Sequence, residues 1–315
     1  KNSPSIQSKS GCSTVLPVKD APIARISLGL IGIGLVLAVT NSLVNSVALS
    51  NKIYFIATVQ LAIALLFAVR LNKPDRAVWP VLLLIVLCSS VAQIFDGTFT
   101  AQPSLQAIPE SLFLIVQLLL ASGLLFIVSR RLGSDPLSVL VDGLIVALGA
   151  WFFIWKVLLQ PTIGTQSITP LISVIQGSTL GISAIVLFTL ATLLFGDSTR
   201  NASVWLVTGA ISLTLFGDFL YAANDAGRID ITSTYSSTAY IFGLFLASAA
   251  FIHPSISLLT ERGPILTQRP LMGRLIVTTA ALILPVVVLA LTNPVDSVDR
   301  VVQTISIFVL TAAVT

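Results

Sequence analysis

The sequence is poor in charged residues: only 10% are Asp, Glu, Lys or Arg, whereas 55% are hydrophobic. A water-soluble domain carries about 25% charged residues. Apolar runs of about 20 residues recur along the chain, and each is long enough to cross a hydrocarbon core of about 30 Å. The alternating segments of about 10 residues that characterise outer-membrane barrels are absent from the sequence. The composition therefore predicts an all-α, polytopic transmembrane helical bundle.

Residue types used for catalysis and metal binding are also scarce. The chain has one histidine and two cysteines, and one histidine cannot supply the usual metal cluster. Cys12 lies in a polar segment and Cys88 in an apolar run, so the two do not form a disulfide framework. The sequence contains no Walker motif and no evident Ser–His–Asp set. We expect this chain to have no enzymatic activity of its own, no cofactor and no metal.

The apolar runs predict about ten spans. A polar tail over residues 1–21, rich in Ser and Lys, is predicted to be disordered. Four spans fall in a first membrane segment, residues 22–129, and six in a second, residues 130–315, which we expect to be cut inside the last helix. The predicted spans are Pro22–Val47, Ile53–Leu71, Ala77–Phe95, Ser111–Ser129, Leu137–Leu159, Pro170–Phe195, Ala202–Ala223, Ser236–His253, Leu271–Leu291 and Val301 onward.

Basic residues indicate the orientation of these spans. With the N-terminus in the cytoplasm, only Lys52, Lys156, Arg228 and Arg300 of the 17 Lys and Arg residues fall on the outer side. Cytoplasmic loops of membrane proteins carry an excess of Lys and Arg. Since an even number of spans returns the chain to its starting side, we expect both termini in the cytoplasm. Because the basic residues are spread over short loops as orientation signals, we expect no nucleic-acid partner.

Three charged residues fall inside predicted spans: Asp142, Lys156 and Asp218. Charges at such positions are costly and usually face other helices or a water-filled cavity. From the helical rise, Lys156 lies about 28 Å along its span and Asp218 about 24 Å along its own, both from the inner end. We therefore expect these two residues to pair or to share a polar network. Alternatively, Lys156 extends to the outer surface and leaves Asp218 unpaired or neutral.

Other polar and aromatic residues fall at the same level as Asp218, in the outer parts of their predicted spans. We predict that they line a ligand or sensing pocket open to the outer side: Gln60, Gln117, Trp155, Lys156, Gln176, Asp218, Tyr221 and Tyr240. The alternative is ordinary contact between helices, because buried Gln and Asn side chains bond across spans for about 0.6 kcal/mol. Trp155 is also compatible with an interfacial aromatic belt.

A second group of residues lies at the predicted inner side: Asp142, His253 and Pro254. His253 ends the predicted eighth span, where the negative end of the helix dipole favours a cation. The alternative is a coupling role, since the loop that follows joins the sensing spans to the C-terminal part of the chain. We treat all three as candidate coupling residues.

Three stretches carry a family resemblance: "LVDGLIVALGAWFFIWKVLLQPTI" at Leu140–Ile163, "GAISLTLFGDFLYAAN" at Gly209–Asn224, and "STAYIFGLFLASAAFIHPSISLLTE" at Ser237–Glu261. They resemble the multi-span N-terminal module of bacterial, often actinobacterial, GGDEF and EAL proteins of cyclic-di-GMP signalling. The resemblance covers residues 137–291. This chain departs from the family in "VIQGSTLGIS", which has no Asp where the family often has a Tyr-Pro…Asp pattern.

The resemblance implies a membrane-embedded input domain in the bacterial cytoplasmic membrane. Such a domain would pass an outer-side or membrane stimulus to a cytoplasmic enzyme that makes or breaks cyclic-di-GMP and that we expect beyond Thr315. Its partners would be the lipid bilayer and an unidentified small ligand or membrane stimulus, and a homodimer is compatible with this role. The alternative function is a ten-span secondary transporter, which predicts an internal repeat. A membrane enzyme acting on lipid is disfavoured by the shortage of histidine and paired carboxylates.

Overall fold

The computed structural model describes residues 21–44, 46–72, 79–99, 107–132, 170–195, 201–225 and 232–256, together with a few isolated positions. Within these ranges every regular element is helical, and no residue is in a strand. Seven α-helices are followed by one short 3-10 turn. They are α1 Ala21–Val44, α2 Val47–Asn72, α3 Trp79–Phe99, α4 Ala107–Leu132, α5 Pro170–Phe195, α6 Ala202–Asp225, α7 Ser233–Ile252 and the turn Pro254–Ile256.

Five of these helices are long and apolar enough to cross a membrane: α1, α2, α4, α6 and α7. Shorter apolar stretches lie in α3, at Pro80–Phe95, and in α5, at Val174–Leu190. Large apolar side chains also cover the outside of the bundle, for example Leu43 at 79% and Leu28 at 68% exposure. In hydrocarbon a helix satisfies its own backbone hydrogen bonds, so these sequences form helices with apolar residues facing lipid. The prediction of an all-helical membrane bundle is confirmed.

Seven of the predicted spans correspond to these seven helices, with ends that differ by a few residues. The second predicted span begins at Ile53, whereas α2 begins at Val47. Of the predicted span Leu137–Leu159 only isolated positions are described; Ile145 and Phe152 are helical and buried. The last two predicted spans and the N-terminal tail lie almost wholly outside the described residues. The total of ten spans and the sidedness of both termini remain predictions.

Helix α7 occupies the centre of the described packing. It contacts α1, α2 and α6, and the remaining contacts run from α2 through α3, α4 and α5 back to α6. Among the described helices, α2 to α7 thus close a ring of contacts, and α1 packs against α7 and also touches α2. Helices of both predicted membrane segments therefore pack directly against each other through α7.

Small residues permit this close packing around α7. A Cβ atom on Gly34 of α1 would collide with the side chain of Phe245. A Cβ on Gly243 of α7 would lie 3.1 Å from the carbonyl oxygen of Ala210 in α6. Glycine allows helix backbones to approach closely where lipid provides no hydrophobic driving force between helices. The contact of α7 with α1 therefore depends on Gly34, and its contact with α6 depends on Gly243.

Candidate functional site

The candidate site lies between α6, α7 and α2, at the end of the bundle where α6 ends and α7 begins. The ring of Tyr240 on α7 lies against Gly217 on α6, where an added Cβ would come within 2.6 Å of the tyrosine Cε1 atom. This contact brings the Tyr240 hydroxyl to the next residue, Asp218. The hydroxyl donates a hydrogen bond of 2.7 Å to the Asp218 Oδ1 atom.

The second oxygen of the same carboxyl group is left without a partner. Asp218 Oδ2 is buried and has no hydrogen bond within the described residues. Buried polar atoms in native proteins are nearly always bonded, so this oxygen needs a partner that the described residues do not supply. The sequence predicts that Lys156 supplies this partner. Lys156 lies outside the described residues, so the pairing remains a prediction.

The third member of the site is Tyr54, near the start of α2. Its ring stacks on that of Tyr240, with ring centroids 5.8 Å apart and an angle of 26° between the planes. Aromatic pairs at this separation contribute roughly 0.5–1.5 kcal/mol beyond their burial. Tyr240 therefore joins three helices, because its ring meets α2 and α6 and its hydroxyl holds the carboxyl of α6. We call Asp218, Tyr240 and Tyr54 the acidic site.

Helix α1 is fixed to α7 by a polar contact at the same end of the bundle. Asn41, which is 1% exposed, donates through Nδ2 to the Thr234 carbonyl oxygen at 3.0 Å and to the Thr238 hydroxyl at 2.9 Å. Ser42 also lies 3.2 Å from that hydroxyl. The amide oxygen of Asn41 is buried without a hydrogen-bond partner in the described chain. This contact sets the position of the first turns of α7, which lead to Tyr240.

The three predicted glutamines are at helix contacts, but not at one place. Gln60 of α2 accepts a hydrogen bond of 2.9 Å from the Ser248 hydroxyl of α7. Gln176 of α5 donates a bond of 3.0 Å to Glu110 of α4. Gln117 of α4 is 9% exposed. Gln60 and Gln176 each bond a neighbouring helix, as the alternative of ordinary interhelical contact predicts.

Three predicted pocket residues remain: Tyr221, Trp155 and Lys156. Tyr221 is 40% exposed, so this predicted pocket residue is not buried between helices. Trp155 and Lys156 fall among residues that the structure does not describe, as does the coupling candidate Asp142. Of the predicted pocket, the structure brings together Asp218 and Tyr240.

The other end of α6 and α7 holds a second polar cluster. His253 follows α7, and its Nδ1 atom lies 2.8 Å from the Ser255 hydroxyl and 3.2 Å from the Ser255 amide nitrogen, which donates to it. The Ser255 hydroxyl in turn accepts a bond of 3.1 Å from the Ser203 backbone N–H at the start of α6. Pro254 begins the 3-10 turn that carries Ser255 into this position. Two of the predicted coupling residues therefore belong to a contact between α6 and the exit of α7.

Sequence reasoning missed Tyr54, Glu110 and Ser248, and it did not single out Ser203. None of them occurs in a recognisable motif. Each of them becomes a candidate only through its contact with a residue of another helix. Ser255 lies in the quoted stretch Ser237–Glu261, but the sequence by itself assigns it no role. Its role follows from the bond to Ser203, a residue far away in sequence.

No protein-family description, no curated protein and no solved structure matches this chain.

Proposed function

We propose that this chain is a membrane-embedded input module that passes a change at the acidic site to the opposite end of the bundle through α7. The observation that carries the proposal is the placement of α7. The first half of this helix holds Tyr240 against Asp218, and its last residue leads into the turn that holds Ser203 of α6. A change at either contact alters how α6 and α7 pack.

The acidic site is suited to receive a stimulus. Its carboxyl group has one buried oxygen without a partner in the described part of the chain, so adding or removing a charge there changes the free energy substantially. The described part of the chain contains no cluster of three or more His, Cys, Asp or Glu that could hold a metal ion. An input role needs only that the stimulus favours one of two packings by a few kcal/mol.

The resemblance to GGDEF and EAL proteins names the output that such a module would control, namely cyclic-di-GMP synthesis or breakdown in the cytoplasm of a bacterium. The test uses the whole gene product, with whatever coding sequence follows Thr315, in bacterial membranes. The measurement is the rate at which these membranes form cyclic-di-GMP from GTP or hydrolyse it.

We expect the membranes to turn over cyclic-di-GMP, and Asp218→Asn and Tyr240→Phe each to change the rate by about fivefold or more, the effect of a 1 kcal/mol shift between two states. Thr40→Val is the matched control, because Thr40 is exposed and its hydroxyl bonds only its own helix. Turnover that is absent, or equal in all variants, would reject the proposal. Asp218-dependent uptake of a solute into proteoliposomes, without nucleotide turnover, would instead establish the transporter alternative.

A further inference from the structure

Two buried side-chain oxygens near the junction of α1 and α2 have no protein partner among the described residues. They are the Oδ1 atom of Asn41, a residue 1% exposed, and the Oγ atom of Ser50, a residue 2% exposed. Buried polar atoms in native proteins are nearly always bonded, either to protein or to ordered water. Both oxygens therefore require a group that these helices do not provide.

The orientation of the Asn41 amide is fixed by its contact with α7. Its Nδ2 atom donates to the backbone carbonyl oxygen of Thr234 at 3.0 Å, and a carbonyl oxygen can only accept. Exchanging the two ends of the amide would set Oδ1 against that carbonyl, acceptor against acceptor. Oδ1 is therefore the end that points away from the carbonyl, and only a hydrogen-bond donor or a cation can satisfy it.

The Ser50 hydroxyl differs from most hydroxyls in these helices because it does not bond its own backbone. Serine and threonine hydroxyls in the described helices commonly donate to the carbonyl four residues earlier, as Ser42 does to Ala38 at 3.1 Å. Ser50 makes only the backbone bond of this kind, from its N–H to the Ser46 carbonyl at 2.8 Å. Its hydroxyl can therefore both donate to and accept from a molecule beside the helix.

The two oxygens lie at the same depth in the bundle. Asn41 is three residues before the end of α1 at Val44, and Ser50 is three residues after the start of α2 at Val47. Because only residues 45 and 46 separate the two helices, these positions are level with each other.

Contacts with α7 agree with this placement. Tyr54 stacks on Tyr240, and further along both helices Gln60 bonds Ser248, so α2 and α7 run in the same direction. Ser50, one turn before Tyr54, is thereby set beside the turn of α7 that precedes Tyr240.

Helix α1 reaches that same turn of α7. Asn41 bonds Thr234 and Thr238, which lie one turn apart just before Tyr240. One turn further along α7, apolar residues of both α1 and α2 pack on Ile241 and Phe245. The asparagine oxygen and the serine hydroxyl therefore lie on two helices that flank one strip of α7.

The chemistry of the surrounding helices favours a neutral occupant. Helices α1, α2 and α7 contain no Asp or Glu that could balance a metal ion. An uncompensated charge between membrane-spanning helices is costly. A water molecule can donate to the asparagine oxygen and bond the serine hydroxyl, and buried waters typically make about three such bonds.

We propose that a water molecule is bound between α1 and α2, where it donates to Asn41 Oδ1 and bonds the Ser50 hydroxyl. Direct contact between α1 and α2 is slight, because each packs mainly on α7. The water completes a link among these three helices at the end of the bundle that holds the acidic site. This binding site does not depend on the proposed signalling role.

The first test detects the water directly. In the full chain, isotope-labelled and held in lipid nanodiscs, NMR measures the transfer of magnetisation from water to assigned amide protons. We expect transfer to the side-chain amide of Asn41 and to the backbone amide of Ser50. Ser27 is the matched control, because it is also 2% exposed and its hydroxyl bonds its own helix. Transfer that is absent from Asn41, or equal at Ser27, would overturn the proposal.

The second test removes one of the two protein groups that hold the water. Ser50→Ala should lower the rate of transfer from water to the Asn41 amide about fivefold, the factor that corresponds to one hydrogen bond of about 1 kcal/mol. Ser50→Thr keeps the hydroxyl and should retain the transfer. Ser27→Ala should leave it unchanged. Transfer to Asn41 that is the same in Ser50→Ala as in the native chain would overturn the proposal.

The same spectra distinguish water from a metal ion. Replacing sodium chloride with choline chloride in the buffer should leave the chemical shifts of the Asn41 amide unchanged. Shifts that require sodium, without transfer from water, would overturn the proposal in favour of an ion site.

Discussion

At the scale of single residues, the hydrogen bond between Tyr240 and Asp218 has the greatest consequences. The carboxyl group of Asp218 has one bonded oxygen and one buried oxygen with no partner within the described residues. Removing the partner of a buried group leaves the full cost of its desolvation, whereas changing the group itself can relieve that cost. The two members of the pair should therefore respond differently to substitution.

Tyr240→Phe removes the hydroxyl and leaves the Asp218 carboxyl with no hydrogen bond in the described structure. We expect a loss of about 1–2 kcal/mol in the free energy of unfolding, measured in mixed detergent micelles. Asp218→Asn keeps an oxygen that accepts from Tyr240 and removes the charge, so it should be neutral or stabilising. Tyr235→Phe, at a residue 49% exposed, is the control. Equal losses in the two site variants would contradict this account.

Gly217→Ala tests the close approach that places Tyr240. The new Cβ would come within 2.6 Å of the Tyr240 ring, so the ring or the helix must move. Overpacking of this kind costs about 1–3 kcal/mol. Gly32→Ala on α1 is the matched control, because no atom lies within 4 Å of the position that its Cβ would take. If both substitutions changed the midpoint of unfolding to the same extent, the contact would not matter for stability.

At the scale of elements, α7 is the helix to which most others attach. Asn41 joins it to α1, the Tyr54 ring and Gln60 join it to α2, and Asp218 joins it to α6. Gly34, Gly217 and Gly243 allow the same helices to approach closely. Each polar contact is weak on average in a membrane, about 0.6 kcal/mol, so several are needed to define one position of the helix.

Asn41→Asp tests how α1 is attached. The substitution keeps the shape but removes both N–H donors, which places a carboxylate oxygen against the Thr234 carbonyl. We expect a loss of about 2 kcal/mol or more in the free energy of unfolding, because an acceptor then faces an acceptor in a buried site. Thr40→Val changes the neighbouring exposed residue to one of the same shape and should have little effect. Similar losses for the two variants would show that Asn41 does not anchor the helix.

At the scale of the whole molecule, the bundle has two different ends. The acidic site and Asn41 lie where α1 ends and α2 begins, and the contact of His253 and Ser255 with Ser203 lies where α6 begins and α7 ends. The positive-inside rule predicts that the first of these ends faces the outside of the cell.

Helix α2 provides both positions needed to test this orientation. Lys52 lies in its first turns and Arg70 in its last turn, and both are exposed. In a chain with Cys12 and Cys88 replaced by serine, we expect Lys52→Cys to react with a membrane-impermeant maleimide in intact cells. Arg70→Cys should react only in inverted vesicles. The reverse pattern would refute the predicted orientation.

The sequence alone identified the membrane environment, the seven helices that the structure describes and the polarity near their ends. It could do so because long apolar runs leave few alternatives in lipid: each must satisfy its own backbone bonds, so it forms a helix. The same reasoning placed Asp218 and Tyr240 at one level, since depth follows from the rise per residue.

Only the tertiary structure decided which groups meet. The described helices are apolar on nearly every face, so the sequence pattern does not fix their rotation or their neighbours. The choice of Tyr240 as partner of Asp218, of Ser248 as partner of Gln60 and of Ser255 as cap of Ser203 depends on contacts between distant parts of the chain. Such contacts are set by the packing of whole helices, and that packing is decided by glycine positions and side-chain shape rather than by hydropathy.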